Sequence, residues 1–356
     1  MQHEEKTVFV GLSGGVDSSV AALRLKNAGY TVVGVFIRVW HPDFIICTEE
    51  QDRIDAMRVA AHLSIPFLTC DARDEYKALV ADEMIREYER GRTPNPDVLC
   101  NKAIKFGVFE DFRKKYGIHY MATGHYAKVV TKSDTTTLHA APDAAKDQSY
   151  FLSMIDKKLL SHILFPTGST VKGDVRKEAQ KARLPSAERR DSQGICFLGK
   201  LDMKDYLSHF IESEKGTVVD THGSIIGTHD GVLFYTIGQR HGFSIISKRS
   251  NSTPLYVVAK DITKNQLTVD TTPPQLTIGS RFSLSSPNLL IPEWVDGIYD
   301  IVTRYHGPKT KAFVTFDGTN AHIVTEGTSD CASLGQTCVI YDNDKVLLGG
   351  IIESSL

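Results

Sequence analysis

Short apolar runs alternate with amphipathic helical patterns from residue 7 to about residue 160. The runs "TVFVGL", "YTVVGVFIRVW", "PFLTCD" and "IHYMATGH" are typical of buried strands. Between them, helical spacing of apolar residues covers 16–28, "EEQDRIDAMRVAAHL", "EYKALVADEMIREYERG" and "NKAIKFGVFEDFRKKYG". This alternation predicts an α/β fold with a doubly wound parallel sheet. Ligands bind such sheets beyond the carboxyl ends of the strands.

The pattern changes twice further along the chain. Between about 161 and 213, "VKGDVRKEAQKARLP" and "KLDMKDYLSHFIES" have the spacing of helices. From 214 onward, Gly- and Thr-rich turns separate short alternating runs such as "LYVVAKDITKNQLTVD" and "KAFVTFDGTNAHIVTEG". We therefore predict three domains: an α/β domain over 1–160, a small helical central domain over 161–213, and an all-β, barrel-like domain over 214–356.

Composition narrows the class of protein without naming a partner. The chain has 356 residues and a formal net charge of −2, so overall charge gives no indication of nucleic acid. It has no signal-peptide pattern and no apolar run near 18 residues, so we expect a cytoplasmic protein that does not enter a membrane. Six cysteines are scattered without a C-x-x-C pair, which argues against a zinc knuckle or a cysteine-ligated cluster.

The first predicted strand runs into "SGGVDSS", residues 13–19, which opens the first predicted helix. Amide groups at a helix N-terminus lack helical partners and bind anions, and glycine allows phosphate oxygens to approach the backbone. The loop is neither a Walker A motif nor a G-x-G-x-x-G fingerprint. The alternative is a plain strand-to-helix connection with a polar cap.

Two cysteines lie in distinctive local settings. In "GRTPNPDVLCNKAIKF", two prolines precede Cys100, which we place at the opening of a helix, where the pKa of a thiol is lowered. Asp97, on the same loop, is a candidate general acid or base, or else a helix cap. Cys196 lies in "RRDSQGICFLGK" among apolar neighbours. For either cysteine, the alternative is a small packing residue.

Together these motifs resemble a known family. Residues 13–19 resemble the pyrophosphate loop of the PP-loop ATP-pyrophosphatase superfamily. With "TPNPDVLCN", "DSQGICFLGK", "ATGHYA", "KDQSYFLS", "FYTIGQRHG", "RYHG" and "LGQTCVIY", the whole chain resembles the bacterial tRNA-specific 2-thiouridylase family. The resemblance implies an ATP-dependent sulfurtransferase that adenylates the C2 oxygen of the wobble uridine, position 34, and replaces it with sulfur. AMP and pyrophosphate are the other products.

The resemblance also implies roles for individual residues. Cys196 carries a persulfide, Cys100 is the second nucleophile, Asp97 moves protons, and Cys100 and Cys196 end as a catalytic disulfide. The implied ATP site comprises Gly11, Leu12, Ser13, Gly14, Gly15, Val16, Asp17, Ser18, Ser19, Ile37 and Gly124, with Mg²⁺ arriving with ATP and contacting Asp17. The implied tRNA site comprises Asn95, Pro96, Asp97, His125, Lys146, Asp147, Gln148, Arg304, Tyr305 and Gln336.

The implied partners are tRNAs with Lys-, Glu- or Gln-type anticodons and a sulfur donor, either a cysteine desulfurase or a relay carrier. The basic stretch 172–190 holds seven Lys or Arg and three Asp or Glu, and is either a solvated helix face or a contact for tRNA phosphates. We interpret Cys47, Cys70, Cys331 and Cys338 as packing residues. Three alternatives use the same features: an ammonia-dependent synthetase, a non-enzymatic RNA-binding protein and a cluster-dependent tRNA thiolase.

Overall fold

The computed structural model describes residues 6–45, 49–190, 194, 196–199, 202–246 and 253–355. The first 165 residues contain seven strands: β1 (Thr7–Gly11), β2 (Thr31–Arg38), β3 (Phe67–Asp71), β4 (Tyr120–Ala122), β5 (Ala127–Lys132), β6 (Thr135–Ala140) and β7 (Ile163–Leu164). Five of them form a parallel sheet in the order β3-β2-β1-β4-β7. The α/β fold predicted from the alternating pattern is confirmed.

In the described part of the chain, six helices accompany the strands. They are α1 (Val16–Asn27), α2 (Glu49–His62), α3 (Arg73–Tyr76, Lys77–Ala81 and Asp82–Glu89 in succession), α4 (Pro96–Cys100, Asn101–Val108 and Phe109–Lys115 in succession), α5 (Lys172–Lys181) and α6 (Met203–Ser208). The middle segments of α3 and α4 are π-helical. Three short 3₁₀ turns lie at Ser149–Leu152, Lys157–His162 and Val232–Phe234.

The parallel sheet is buried on both faces. Phe9 of β1 packs into one hydrophobic cluster, while Val8 and Val10 pack into another, because successive side chains of a strand point to opposite faces. All three side chains are buried. Continuous apolar runs rather than polar–apolar alternation are the expected sequence of such strands.

The prediction of a small helical central domain is wrong, since the middle domain is β-rich. Strand β7 joins the parallel sheet beside β4, and α5 packs against α1. An ion pair of 2.6 Å between Arg24 of α1 and Glu178 of α5 ties the two helices together. The local sequence showed helical spacing correctly, but it did not show which sheet the helix covers.

The middle domain is a five-stranded sheet. Its strands are β8 (Gly216–Val219), β9 (Ile225–His229), β10 (Ser244–Ile245), β11 (Tyr256–Asp261) and β12 (Gln266–Asp270). Their order is β10-β9-β8-β12-β11, with β8 and β12 parallel and the other neighbours antiparallel.

The last part of the chain forms a closed barrel. Its elements are β13 (Gln275–Leu276), β14 (Arg281–Leu289), β15 (Gly297–Val302), β16 (Thr310–Phe316), β17 (Ala321–Thr325), β18 (Ser329–Asp330), β19 (Thr337–Asp342) and β20 (Lys345–Ser355). Six strands follow the order β14-β17-β16-β15-β19-β20, and β20 pairs back with β14, so the ring has no free edge. The β5–β6 hairpin of the α/β domain pairs with β20 through His139 and Lys345. The predicted C-terminal barrel is confirmed for this part of the chain, whereas strands β8 to β12, predicted as part of the same domain, form the separate sheet of the middle domain.

The middle domain and the C-terminal barrel both form hydrogen bonds to the loop that precedes α4. From the middle domain, Lys260 donates to the Gly91 carbonyl oxygen at 2.8 Å, and the Thr236 hydroxyl lies 3.0 Å from that of Thr93. From the barrel, the Gln336 amide donates to the Thr93 carbonyl oxygen at 2.8 Å. The start of α4 is therefore positioned by all three parts of the chain.

Within these described ranges, no helix is both long enough and apolar enough to cross a membrane.

Candidate active site

The "SGGVDSS" loop joins β1 to α1, as the sequence predicted. Gly14 has φ of +74°, a conformation that L-residues rarely adopt, and Gly15 precedes the helix without a side-chain cap. The hydroxyl groups of Ser18 and Ser19 donate to the Gly15 carbonyl oxygen at 3.2 and 2.7 Å, which stiffens the loop from within. The amide groups of the first helical turn have no intrahelical acceptors and face the end of the loop. The loop is thus suited to an anion.

Gly124, just beyond β4, is in close contact with this loop. A Cβ atom at this position would lie 2.6 Å from the Asp17 carbonyl carbon and from the Ser18 amide nitrogen. Only glycine allows the β4 end and the loop to approach so closely. The side chain of Ile37, near the end of β2, is buried in the core, so a ligand at this position would meet its backbone.

Asp17 is held by two side chains that the sequence analysis did not select. Lys172 Nζ lies 2.7 Å from both carboxylate oxygens, and the Tyr126 hydroxyl donates to one of them at 2.7 Å. Lys172 begins α5, the helix that had been predicted for a separate domain. The packing of α5 on α1 therefore brings a cation to the "SGGVDSS" loop.

Some cations of the basic stretch 172–190 bind groups within the protein, and the others are exposed to solvent. Lys172 binds Asp17, Arg176 donates to the carbonyl oxygens of residues 187 and 189, and Arg189 forms ion pairs with Asp52 and Asp55 beside Gly14. The exposed cations of the stretch are Lys177, Lys181, Arg183 and Arg190.

Cys100 and Cys196 lie next to each other although 96 positions separate them. Their Sγ atoms are 3.4 Å apart. Cys100 has no exposed surface, whereas Cys196 is partly exposed. Asp97 Oδ1 accepts a hydrogen bond of 2.8 Å from the Cys196 amide, and the Tyr76 hydroxyl donates to the Cys196 carbonyl oxygen at 3.0 Å. The helix that carries one thiol therefore also binds the backbone that carries the other.

The helix opens earlier than the sequence analysis placed it. Pro96 occupies the first helical position, where proline is well tolerated, and the Asn95 side chain caps the helix by accepting from the amides of Asp97 and Val98, each at 3.1 Å. Cys100 consequently lies a full turn inside α4 and faces the core. The expectation that a helix N-terminus lowers its pKa does not hold, because burial raises the pKa of this thiol well above its ordinary value.

The π-helical segment Asn101–Val108 brings Lys105 to the cysteine pair. In an α-helix, two residues five positions apart point about 140° away from each other around the axis. In a π-helix, hydrogen bonds join residues five positions apart, so two such residues lie on nearly the same side. The Lys105 ammonium group lies 3.4 Å from His125 Nε2 and 5.8 Å from the ring centroid of Phe197, the residue after Cys196, so its charge acts on the Cys196 thiol. π-helical turns within α-helices are frequent at functional sites.

The charges at the site favour a thiolate on Cys196. The hydrogen bond from Cys100 lowers the pKa of Cys196, and Lys105 lowers it further, against the opposing effect of burial. Burial raises the pKa of Asp97, although the Cys196 amide and Lys105 oppose this shift. Burial together with the Lys105 ammonium holds the pKa of His125 well below its ordinary value, so this ring is neutral.

Several residues predicted for tRNA surround the cysteine pair or brace its surroundings. Asn95, Pro96 and Asp97 form the start of α4, and His125 is buried beside Lys105 with its Nδ1 atom 2.6 Å from the Thr123 hydroxyl. Gln336 donates to the carbonyl oxygen of Thr93, so its amide serves this loop in the present structure.

The remaining predicted tRNA residues lie on two neighbouring segments. The Gln148 side chain accepts from the Tyr126 amide at 2.9 Å, and the Asp147 carboxylate accepts from the amides of residues 141 and 149. Lys146 precedes them in the same turn. The Tyr305 ring packs on Phe151 with the ring centroids 4.1 Å apart, while Arg304 forms an ion pair with Asp330.

Comparison with known proteins identifies the family. Residues 6–200 match the family described as "tRNA methyl transferase HUP domain", residues 204–271 "tRNA methyl transferase PRC-barrel domain", and residues 282–352 "Aminomethyltransferase beta-barrel domain". The chain is 38% identical to a tRNA-specific 2-thiouridylase MnmA of Streptococcus mutans, over 100% of this chain and 97% of that protein. It is 40% identical to the enzyme of the same name from Methylobacillus flagellatus, over 99% and 100% of the two chains.

The chain belongs to the tRNA-specific 2-thiouridylase family. The predicted resemblance is confirmed over the full length of the chain. The matched descriptions of the domains mention methyl transfer, whereas the full-length relatives of this thiouridylase are named for thiolation. The thiouridylase also carries two cysteines in contact, which is the arrangement that sulfur transfer through a disulfide needs.

Three further cysteines of the described residues lie outside this pair. Cys70 and Cys338 are buried and Cys331 is partly exposed. Cys47 lies outside the described residues, as do residues 191–193, 195 and 200 of the second cysteine motif. Among the described residues, no group of three or more His, Cys, Asp or Glu side chains is placed to hold a metal ion.

Proposed function

We propose that this thiouridylase transfers sulfur to carbon 2 of the wobble uridine, position 34, through the paired thiols of Cys100 and Cys196. The family supplies the reaction class. The observation that carries the residue assignment is the 3.4 Å separation of the two Sγ atoms beside Asp97 and Lys105. Because Cys196 is partly exposed and Cys100 is not, sulfur delivered from outside reaches Cys196 first.

In the first step, the C2 oxygen of the uridine attacks the α-phosphorus of ATP and the bond to the β-phosphate oxygen breaks. Pyrophosphate leaves, and the uridine N3 proton is lost, so that oxygen becomes part of an AMP leaving group. We assign the ATP site to Gly11, Leu12, Ser13, Gly14, Gly15, Val16, Asp17, Ser18, Ser19, Ile37 and Gly124. The tight glycine loop and the touching Gly124 fit a pyrophosphate, since the backbone can approach its oxygens closely.

Mg²⁺ would accompany ATP and neutralise phosphate charge. It binds through one or two carboxylates together with phosphate oxygens and water, and Asp17 is a carboxylate at the loop that can serve. Lys172, paired with Asp17, lies where it can also bind a phosphate oxygen.

In the second step, sulfur replaces the adenylated oxygen. A persulfide on Cys196 carries the sulfur, and the Cys100 thiolate attacks Cys196 Sγ, which breaks the persulfide S–S bond and forms a Cys100–Cys196 disulfide. The released sulfur takes the electron pair of the broken bond, forms a bond to carbon 2, and AMP leaves. The attack on carbon 2 either precedes the cleavage, by the terminal persulfide sulfur, or follows it, by hydrosulfide. Both orders end in the same disulfide, which a thiol reductant then opens.

Asp97 is suited to move the protons of these steps. Its raised pKa keeps it able to hold a proton nearer neutral pH, and it is bound to the backbone of Cys196. It can accept the Cys100 proton as that thiol becomes the attacking thiolate.

The substrate RNA must present one unstacked base. A uridine within an anticodon loop has to be splayed out before reaction. We assign its surroundings to Asn95, Pro96, Asp97, His125, Lys146, Asp147, Gln148, Arg304, Tyr305 and Gln336. The exposed cations of 172–190 are proposed to bind phosphates. The proposed partners are tRNAs with Lys-, Glu- or Gln-type anticodons and a cysteine desulfurase or relay carrier, and the predicted location is the cytoplasm.

The test combines the protein, unmodified tRNA, ATP with Mg²⁺, cysteine labelled with heavy sulfur and a cysteine desulfurase. Nucleoside mass spectrometry measures labelled 2-thiouridine. We expect its formation by the wild type and its loss in Cys100→Ser and Cys196→Ser. Cys331→Ser is the matched control, because this partly exposed thiol lies outside the pair. Turnover by Cys100→Ser at the wild-type rate would refute the paired-thiol route.

A further inference from the structure

Lys105 is a charged side chain at the sulfur atoms to which neither the reaction scheme above nor the sequence motifs assign a role. Its ammonium group lies 3.4 Å from His125 Nε2, and its charge acts on the sulfur atoms of both Cys196 and Cys100. It also lies 5.8 Å from the ring centroid of Phe197, the residue after Cys196. The group therefore reaches the segment that carries the second cysteine.

We propose that Lys105 is a catalytic residue that holds the anionic sulfur of Cys196, first as thiolate and then as persulfide. This inference rests on the proposed function, because it concerns the sulfur carried by Cys196. Lys105 performs no covalent step. It provides a fixed positive charge where negative charge resides before sulfur is transferred.

The helix geometry supports a dedicated position for this charge. In a regular α-helix, a residue five positions after Cys100 would point away from it. The π-helical segment Asn101–Val108 turns Lys105 back toward the thiols. Lys102, three positions before Lys105 on the same segment, is instead exposed to solvent. The π-helical segment therefore directs Lys105, and not Lys102, toward the two thiols.

The surrounding groups keep the ammonium charged and aimed at sulfur. Burial alone lowers the pKa of Lys105, but Cys196, Cys100 and Asp97 outweigh it, so its pKa is raised. Because an ammonium group can only donate, neutral His125 accepts from it through Nε2, which leaves the ring hydrogen on Nδ1, 2.6 Å from the Thr123 hydroxyl.

Among the described residues whose side chains act on Cys196, Lys105 provides the positive charge. The Tyr76 hydroxyl meets the Cys196 carbonyl oxygen, Asp97 meets its amide, and Cys100 donates to its sulfur. The Asp97 charge opposes a thiolate on Cys196, whereas Lys105 favours it. When the Cys100–Cys196 disulfide forms, the anion disappears, so Lys105 stabilises the reduced, loaded state relative to the oxidised one.

The decisive experiment measures the alkylation rate of Cys196 against pH by iodoacetamide labelling and peptide mass spectrometry. We expect Lys105→Met to move the midpoint upward by a pH unit or more and to slow 2-thiouridine formation at least tenfold at neutral pH. Lys102→Met is the matched control and should leave both quantities unchanged. Calorimetric ATP binding, expected to stay within twofold of the wild type, shows that the Lys105→Met variant is folded.

The two proposals fail in different ways. An alkylation midpoint in Lys105→Met equal to that of the wild type overturns the role of Lys105, even when the wild type makes 2-thiouridine. Absence of 2-thiouridine with the wild type overturns the proposed function, while the alkylation midpoints still report whether Lys105 stabilises the thiolate. A midpoint that moves equally in Lys102→Met also counts against Lys105, because it would indicate only the general field of the helix.

Discussion

Gly124→Ala tests whether the phosphate loop depends on its contact with the end of β4. The added Cβ would lie 2.6 Å from the Asp17 carbonyl carbon and the Ser18 amide nitrogen, and 3.0 Å from the Asp17 Cβ. Ordinary contact begins at 3.4 Å, so the loop or the β4 end must shift by about 0.8 Å. The two nearest atoms belong to the backbone and cannot rotate away as the end of a side chain can.

The size of this shift sets the expected effect. Overpacking of this kind costs about 1–3 kcal/mol. A displacement of about 1 Å in a positioning element can reduce a rate about 100-fold. We therefore expect Gly124→Ala to weaken ATP binding by at least tenfold and to slow 2-thiouridine formation about 100-fold, with the fold retained.

Isothermal calorimetry with ATP and Mg²⁺ measures the first quantity, and nucleoside mass spectrometry measures the second. The matched control is Gly173→Ala, because a Cβ there meets nothing within 4 Å and its backbone conformation is compatible with alanine. Melting temperatures of both variants report on folding. Wild-type ATP affinity and rate in Gly124→Ala would refute the argument that this contact shapes the nucleotide site.

Three further outcomes follow from the same structure. Cys100→Ser should leave labelled persulfide on Cys196, detectable by mass spectrometry, because the attacking thiolate is missing; an unloaded Cys196 would contradict the assigned order of sulfur receipt. Below about pH 6.5, His125 is protonated in the unfolded chain but not in the folded chain, because its pKa is lowered by folding. The free energy of unfolding therefore falls as the pH decreases, by up to about 1.4 kcal/mol per pH unit from this residue. Denaturant titrations should show a smaller loss in His125→Gln. In the wild type, the Arg113 guanidinium lies 2.6 Å from the buried Glu110 carboxylate. Arg113→Met removes this main partner and should lower the free energy of unfolding of the α/β domain by about 3 kcal/mol. A decrease of less than about 0.5 kcal/mol would disprove this expectation.

The local chemistry of the site was largely readable from the sequence. Residues 13–19 predicted a loop between a strand and a helix, and Asp97 and Cys100 were placed on one stiff segment. The predicted start of α4 at Cys100 is too late, because proline fits the first helical position and Asn95 caps the helix there. The error moved Cys100 from an exposed helix end to a buried position, which reverses the direction of its pKa shift.

The cations of the site show where the sequence was insufficient. Lys172 lies in a basic stretch that is typical of a solvated helix face, and only the docking of α5 on α1 brings it to Asp17. Lys105 follows Cys100 by five positions, and its direction depends on a π-helical segment that no residue spacing revealed. Each contact depends on backbone geometry, in one case the docking of α5 and in the other the π-helical segment of α4, which residue types alone do not determine.

By itself, the sequence determined the secondary-structure periods, the glycine loop between the first strand and the first helix, and the two cysteine motifs, because these depend on short-range backbone preferences and residue chemistry. Only the tertiary structure decided that β7 and α5 belong to the first domain, that the middle domain is a sheet, and that two distant thiols meet. Such contacts are selected by burying apolar faces together across long stretches of chain. The free energy of that burial depends on which surfaces meet, and no local pattern specifies the partner.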